Sequence, residues 1–358
     1  MTDPAVTATQ PEPVSEPELA DRLSRLLDEA GVGAHRDLVL RIFRTGLGLG
    51  LDDADRLDLK IAAAALEEMR AAIRIFLPHR GVPKVTVFGS ARTHAHDPLF
   101  AQAEAVSREL ADQGWMVVTG AGPGIMEAAT QGAGTHRSLG VSIRLPFEER
   151  PNQIVADSSR LVSMKYFFTR KLMLVKESRG FVCLPGGFGT MDETFELLTL
   201  QQTGKMVPVP IVLLDRPGGT FWRGFERFAK EQLEGTGMTS PGDFDRVLIT
   251  ESVAVAVAEI TGFWSNYDSL RWVQERLVLR LHHTPTPEEL THLNERFAGM
   301  LADGRIELTD PLPEEVLGAD RLHLPRIVFV PKQQAVGELH RLIRALNRLP
   351  SASGAQPR

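Results

Sequence analysis

The sequence from Arg179 to Glu196 reads RGFVCLPGGFGTMDETFE and has the order strand, glycine turn, helix. Its first part, Phe181 to Leu184, is a short apolar run of the kind that forms a buried strand. The segment PGGFG at residues 185–189 interrupts this strand, and its glycines allow the backbone to approach a ligand closely. From Thr190 to Leu200 the residue spacing predicts a helix.

The start of this helix supports two interpretations. A helix N-terminus behind a glycine turn presents free backbone N–H groups and the positive end of the helix dipole, which together favour a bound phosphate. Thr190 and Glu193 also have the spacing of a capping box, with Thr190 as the N-cap, and a capping box needs no ligand. Glu193 is therefore a candidate catalytic carboxylate or a capping residue.

The composition is that of a globular protein. The chain has 358 residues, of which 43% are hydrophobic and 24% charged, and this length predicts two to three domain-sized units or one large domain with extensions. A net charge of −6 argues against a nucleic-acid partner, which would require a basic surface. The single cysteine, Cys183, excludes an internal disulfide, and its place in an apolar strand predicts a buried core residue.

The sequence pattern predicts neither a membrane span nor a signal peptide. No apolar run approaches the ~18 residues that a transmembrane helix needs. The first residues, MTDPAVTATQPEPVSEPE, lack a basic n-region and an apolar h-region. We therefore expect a cytoplasmic protein without a membrane partner.

Strands and helices alternate through the middle of the chain. This alternation predicts an α/β fold, with βαβ units, a parallel sheet and helices on both of its faces. The predicted strands are Lys84–Gly89, Trp115–Val118, Leu139–Leu145, Phe181–Leu184 and Pro210–Leu214. The predicted helices between them are Leu99–Gln113, Ile125–Gly132 and Ser163–Glu177.

The flanking regions have other compositions. We expect a disordered tail at residues 1–18, a helical N-terminal region at 19–80, a nucleotide-binding domain at 81–250, a mixed C-terminal extension at 251–349 and a second disordered tail at 350–358. The helices predicted after the parallel sheet are Phe221–Leu233, Ser252–Phe263, Leu270–Leu281, Pro287–Leu301 and Val336–Leu349. One further strand is predicted at Leu324–Val330.

Three turns follow predicted strands and should meet at one edge of the sheet, because ligands of parallel sheets bind beyond the carboxyl ends of the strands. They are Gly89–Ser90, Gly120–Gly124 and Pro185–Gly189. The first turn has one glycine and so lacks the GxGxxG fingerprint of dinucleotide binding. A Walker A sequence and zinc-ligand spacing are also missing. We expect no cofactor and no metal.

A second group of candidate residues lies on the helix before the central strand, which carries the sequence FFTRK at 167–171. An arginine and a carboxylate around a phosphate-binding turn suit cleavage of an N-glycosidic bond in a nucleoside monophosphate, because the sugar becomes cation-like. The alternative is that Arg170 and Lys171 belong to the solvated face of an amphipathic helix. Both interpretations stay open on spacing alone.

Several motifs together resemble one known family. PGGFGTMDE at residues 185–193 matches the motif PGGxGTxxE, and Arg170-Lys171 matches the Arg-Lys pair that precedes it. GAGPGIMEA at 120–128 is similar to the second glycine turn of the same family, and the Gly89–Ser90 turn fits as well. Residues 84 to about 215 thus resemble the LOG ("Lonely Guy") family, cytokinin riboside 5′-monophosphate phosphoribohydrolases within a wider group of Rossmann-like nucleotide-binding proteins.

The resemblance implies roles for named residues. It implies that Arg170 and Glu193 are catalytic. The residues that it implies for phosphate and nucleotide binding are Gly186, Gly187, Gly189, Thr190, Ser90, Gly122, Gly124 and Lys171. It also implies a Rossmann-like fold, a nucleoside 5′-monophosphate as substrate, no cofactor, and a homodimer or higher homo-oligomer with the site near the subunit contact.

Phe167 and Phe168 depart from the family pattern, since plant-type enzymes usually have Met-His there. The preferred base, N6-modified adenine or a standard base, is therefore left open. Longer relatives in the wider group resemble nucleosidases of ordinary purine or pyrimidine monophosphates, and others resemble molybdenum-cofactor carriers that bind without catalysis. The presence of both Arg170 and Glu193 favours an enzyme over a carrier.

Overall fold

The computed structural model describes residues 15–144, 159–240, 242–332 and 336–353. Contacts divide the chain into two compact units, the first ending at Glu67 and the second running from Glu68 to Arg358. Most of the two predicted tails lies outside the described residues. Of the described parts, residues 16–18 belong to the first helix and residues 350–353 form a short 3-10 helix.

The first unit is helical, which confirms the helices predicted there. It contains α1 (Glu16–Glu29), α2 (Arg36–Leu51) and the beginning of α3 (Arg56–Phe76). The Arg36 guanidinium donates to the Ser24 carbonyl at 3.0 Å and so joins the start of α2 to α1.

The main sheet of the second unit has seven parallel strands in the order β4-β3-β2-β1-β5-β6-β7. The strands are β1 (Lys84–Phe88), β2 (Met116–Thr119), β3 (Ser138–Ile143), β4 (Leu161–Met164), β5 (Gly180–Cys183), β6 (Ile211–Leu214) and β7 (Val247–Thr250). The helices of this part are α4 (Pro98–Asp112), α5 (Ile125–Ala133), α6 (Phe167–Lys176), α7 (Phe188–Gln202), α8 (Phe221–Phe228) and α9 (Val253–Gly262). The predicted α/β fold is confirmed, although the sequence analysis missed the edge strands β4 and β7.

Apolar side chains cover both faces of this sheet. Along β5, Phe181 and Cys183 pack into one buried cluster, and Val182 packs into the cluster on the opposite face. Because both faces are buried, the central strands are continuous apolar runs rather than alternating ones. Cys183 is fully buried, as predicted, and burial raises the pKa of its thiol to about 12.

A second sheet of four antiparallel strands follows, and it corrects one prediction. Its strands, in the order β10-β11-β9-β8, are β8 (Tyr267–Val273), β9 (Arg276–Leu281), β10 (Leu301–Thr309) and β11 (Arg326–Pro331). The helix predicted over Leu270–Leu281 is wrong, because this segment forms the hairpin of β8 and β9. Its turn at Gln274 adopts a positive φ of 56° without a glycine or asparagine, so the usual hairpin signal is missing.

The helices around the second sheet are α10 (Pro287–Phe297), α11 (Pro313–Leu317) and α12 (Val336–Leu346). The helix predicted over Pro287–Leu301 ends earlier, since β10 begins at Leu301. Leu293, Phe329 and Leu342 belong to the apolar cluster at this sheet, which gives the second sheet its own core. Among the described residues, no helix is both long enough and apolar enough to cross a membrane.

Candidate active site

The glycine turn after β5 leads directly into α7. This helix begins at Phe188 with Gly187 as its N-cap, and the Met191 N–H donates to the Gly187 carbonyl at 3.0 Å. Thr190 is therefore the third residue of the helix, and the predicted N-cap at Thr190 is wrong. The predicted capping box is wrong for the same reason, because Glu193 lies in the second helical turn.

The early start of α7 leaves backbone donors at its first turn. The N–H groups of Phe188, Gly189 and Thr190 have no partner within the helix. In the described part of the chain, no side chain accepts a hydrogen bond from them. These donors and the helix dipole meet at the turn, which is the arrangement that binds an anion.

The three strand-ending turns meet at one edge of the main sheet. The Ser90 N–H donates to the Pro185 carbonyl at 3.2 Å, and the Ile125 N–H donates to the Ser90 carbonyl at 3.0 Å. Between these turns lies a cleft of about 910 Å³. Of the residues predicted for the site, those that line the cleft are Arg170, Glu193, Gly186, Gly187, Gly189, Thr190, Ser90 and Gly122.

Arg170 reaches the cleft from the first turn of α6. Its Nε donates to the Val141 carbonyl at 3.0 Å, near the end of β3. A Cβ placed on Gly120 would lie 2.1 Å from the nearer guanidinium nitrogen of Arg170. Position 120 is therefore a glycine because the guanidinium packs directly on its backbone.

Glu193 is a buried acid at the same cleft. Its residue is 7% exposed, and among the described residues its Oε2 has no hydrogen-bond partner. Burial raises the pKa of Glu193 to about 7, although the nearby Arg170 and Lys171 cations act to lower it. The carboxyl group therefore titrates near neutral pH, as a catalytic acid or base does.

Two of the predicted site residues do not line the cleft. The Lys171 ammonium lies 2.8 Å from Asp192 and 2.9 Å from Glu196, both on α7. Burial alone would lower the pKa of Lys171, but hydrogen bonds to these two carboxylates raise it. Gly124 has φ of 68°, and a Cβ there would meet the Ser90 carbonyl oxygen at 2.4 Å, so it lets α5 start close to the Ser90 turn.

The cleft also contains residues that the sequence analysis missed. Phe188 lines the cleft at the start of α7, and this large apolar residue is 97% exposed. The other lining residues without a predicted role include Arg92, Met126, Ser142, Phe221 and Phe225. Phe221 and Phe225 come from α8, which is far from the motifs in sequence and carries no motif of its own.

Known proteins match this part of the chain. A family model described as possible lysine decarboxylase, which represents the LOG family, matches residues 125–260. The cytokinin riboside 5′-monophosphate phosphoribohydrolase of Mycobacterium tuberculosis is 29% identical over 171 residues, which cover 47% of this chain and 88% of the relative. The enzyme of the same name from Mycobacterium marinum is 30% identical over 159 residues, covering 44% of this chain and 83% of the relative.

Among solved structures, the molybdenum cofactor binding protein of Rippkaea orientalis matches 50% of this chain and 96% of its own, with 23% sequence identity and a TM-score of 0.36. The parallel sheet observed here is the fold expected of the LOG family. Together with the 30% identity to a relative that is matched over most of its length, it establishes the family. The chain belongs to the LOG family of cytokinin riboside 5′-monophosphate phosphoribohydrolases.

Proposed function

We propose that this protein hydrolyses the N-glycosidic bond of a nucleoside 5′-monophosphate and releases the free base and ribose 5-phosphate. The observation that carries the proposal is the buried Glu193 carboxyl group, which lines the same cleft as Arg170 and the open N-terminus of α7. An acid, a cation and an anion site within one cleft are the groups that this reaction requires. The named relatives, which are phosphoribohydrolases, support the same activity.

The phosphate is assigned to the first turn of α7. The N–H groups of Phe188, Gly189 and Thr190 would donate to its oxygens, and the helix dipole favours its charge. Arg170 lines the same cleft and adds a positive charge to it. Binding the phosphate at this end would place the sugar between the two helices that carry Arg170 and Glu193.

We assign Glu193 a position beside the sugar carbon that reacts, C1′. As the bond between C1′ and the base nitrogen breaks, positive charge develops on the sugar, and an ionised Glu193 would stabilise it. The same carboxylate would accept a proton from the attacking water, whose oxygen forms the new bond to C1′. The proton that the water loses ends on the leaving base nitrogen, so the reaction consumes one water molecule and needs no cofactor for its balance.

The base is assigned to the side of the cleft near Phe167. This residue lines the cleft and is half exposed, whereas Phe168 is stacked on Tyr166 with 5.6 Å between ring centroids. A flat aromatic surface can stack on any base, so it does not select an N6-modified adenine by itself. Cytokinin riboside monophosphate is the substrate class of the named relatives, and AMP is the ordinary nucleotide closest to it.

The test is product analysis with a panel of AMP, GMP, CMP and N6-isopentenyl AMP. Release of base from the modified nucleotide alone supports cytokinin activation, and broad release supports a nucleosidase of ordinary nucleotides. Tight binding of a nucleotide without release would support a carrier and overturn the hydrolase proposal. L-lysine serves as a control substrate, because carbon dioxide release would instead favour the activity in the family description.

We also propose that the protein is a cytoplasmic homodimer or higher homo-oligomer. Its support is a group of exposed apolar side chains on α6, namely Phe167, Phe168 and Leu172, whose burial between subunits would be favourable. Light scattering at micromolar concentration tests the assembly, with Leu172→Glu as the variant that should weaken it. A fully active wild-type monomer would contradict the proposal.

A further inference from the structure

The start of α6 is held by a carboxylate from outside the matched part of the chain. Glu68 lies on α3, in the N-terminal region that precedes β1, and only 6% of this residue is exposed. Its Oε1 accepts a hydrogen bond from the Lys165 N–H at 2.5 Å. Its Oε2 accepts from the Thr169 hydroxyl at 2.7 Å and lies 3.4 Å from the Tyr166 N–H.

These contacts fix both sides of the junction between β4 and α6. Lys165 and Tyr166 form the connection, and Thr169 belongs to the first turn of the helix. Tyr166 is the N-cap of α6, and its own side chain makes no capping hydrogen bond. The Glu68 carboxylate therefore links the two residues before the helix to a side chain of its first turn, and its negative charge also suits the positive end of the helix dipole.

Arg170 is the residue next to Thr169. Its backbone N–H makes an early hydrogen bond of the helix, to the Tyr166 carbonyl at 3.3 Å, and its Nε donates to the Val141 carbonyl. A change in the position of the first turn of α6 would move this guanidinium relative to Gly120 and the cleft. Glu68, which fixes the first turn of α6, thus also fixes the position of the Arg170 guanidinium in the cleft.

We propose that Glu68 is a positioning residue for Arg170: its carboxylate clamps the β4–α6 junction and holds the guanidinium at the cleft. This inference rests on the proposed hydrolase function for its effect on turnover. It gives α3, which lies outside the family match at residues 125–260, an indirect part in the active site. Glu68 itself does not line the cleft, so it acts through α6 and not on the substrate.

Replacing Glu68 tests the clamp. Glu68→Ala leaves the junction without its acceptor, and we expect kcat/KM to fall by roughly ten- to a hundredfold, because a small misplacement of a catalytic group has this effect. Glu68→Gln keeps the length and one acceptor oxygen and should recover part of the loss. The matched control is Glu289→Ala, since Glu289 also caps a helix, α10, but is absent from the cleft. It should lower stability and leave kcat/KM unchanged.

A double-mutant cycle with Arg170→Ala separates positioning from general support of the fold. If Glu68 acts through Arg170, Glu68→Ala should have less than about a twofold further effect on kcat/KM once Arg170 is replaced. An equal fold-loss in both backgrounds would show that Glu68 only stabilises the protein, and it would overturn the inference.

Hydrogen exchange tests the clamp without any substrate. In Glu68→Ala, the amides of residues 165–170 should exchange faster than in the wild type, while Glu289→Ala should leave them unchanged. Unchanged exchange in Glu68→Ala would overturn the clamp whether or not the protein is an enzyme. If exchange is faster in Glu68→Ala but the wild type releases no base, the role of Glu68 at the β4–α6 junction is supported. The hydrolase proposal is then wrong.

Discussion

Lys171 and Glu196 form an ion pair, with 2.9 Å between Nζ and Oε2, that joins the helix carrying Arg170 to the helix carrying Glu193. Asp192 is a second partner of the same ammonium at 2.8 Å. The two helices that present the candidate catalytic groups are thus connected by ion pairs of Lys171, a side chain that does not line the cleft. Lys171 also lies close enough to Glu193 to lower the pKa of its carboxyl group.

Lys171→Met should therefore move the pH dependence of the reaction. Without this cation the pKa of Glu193 rises further above its usual range, so the acid limb of kcat/KM shifts to higher pH. The measurement is kcat/KM between about pH 5 and pH 9. Lys171→Arg keeps the charge and is the control that should retain the wild-type limb. An unshifted limb in Lys171→Met would show that Lys171 does not influence Glu193.

Gly120→Ala should displace the Arg170 guanidinium. The added methyl group would lie 2.1 Å from one of its nitrogens, and the flexible end of the arginine can move away without unfolding the sheet. We expect kcat/KM to fall by roughly ten- to a hundredfold with a small change in melting temperature. Gly262→Ala is the control, since nothing lies within 4 Å of a Cβ at that glycine. Wild-type kcat/KM in Gly120→Ala would mean that the position of Arg170 is unimportant.

The 5′-phosphate should be essential for efficient turnover. Charge-assisted hydrogen bonds contribute roughly 1.5–3 kcal/mol each, so loss of two of them should lower kcat/KM for adenosine by at least about a hundredfold relative to AMP. Steady-state kinetics with both compounds measures the ratio. Equal turnover of adenosine and AMP would show that phosphate binding by the first turn of α7 does not contribute to the reaction.

The main sheet could be predicted because its strands are short, apolar and separated by glycine turns. Segments such as Phe181–Leu184 are short apolar runs that a glycine turn follows, and they are fully buried in the sheet, as this pattern predicts for a central parallel strand. The hairpin of β8 and β9 could not be predicted in the same way. Its residues also fit a helical spacing, and the turn at Gln274 carries no residue typical of hairpins.

The site could be predicted only in part, because some of its contacts join residues that are distant in sequence. The glycine turns and Arg170 occupy one cleft because parallel strands end at a common edge. The start of α7 could not be read from the sequence, since Phe188 and Gly189 are poor helix formers and tertiary context overrides propensity. Glu68 was missed because its contact with Thr169 spans 101 positions in the chain, and no local pattern marks it.

Glu193→Gln should separate binding from catalysis. Gln keeps the shape of the side chain, but it can neither stabilise a cation by charge nor accept a proton from water. We expect kcat to fall by about a hundred- to a thousandfold, with KM nearly unchanged because phosphate binding rests on backbone N–H groups. Steady-state kinetics measures kcat and KM, and circular dichroism checks the fold. A variant that keeps more than about half of its kcat would remove Glu193 from the chemistry.

The same substitution should change how stability depends on pH, and this test needs no substrate. The pKa of Glu193 is about 7 in the folded protein and 4.5 in the reference state, so between these values the folded protein binds more protons than the unfolded chain. Stability from this group is therefore present at low pH and is lost as pH rises toward and past 7.

By pH 8 this loss is on the order of 3 kcal/mol, because each unit of pKa shift corresponds to about 1.4 kcal/mol. Glu193→Gln has no such group, so its free energy of unfolding should increase relative to that of the wild type as pH rises from about 5 to 8, which means that the variant becomes relatively more stable. Urea unfolding of the two nucleotide-free proteins across this range measures the difference. Parallel pH curves would contradict the raised pKa, and they would mean that Glu193 is ionised at neutral pH at no cost to the fold.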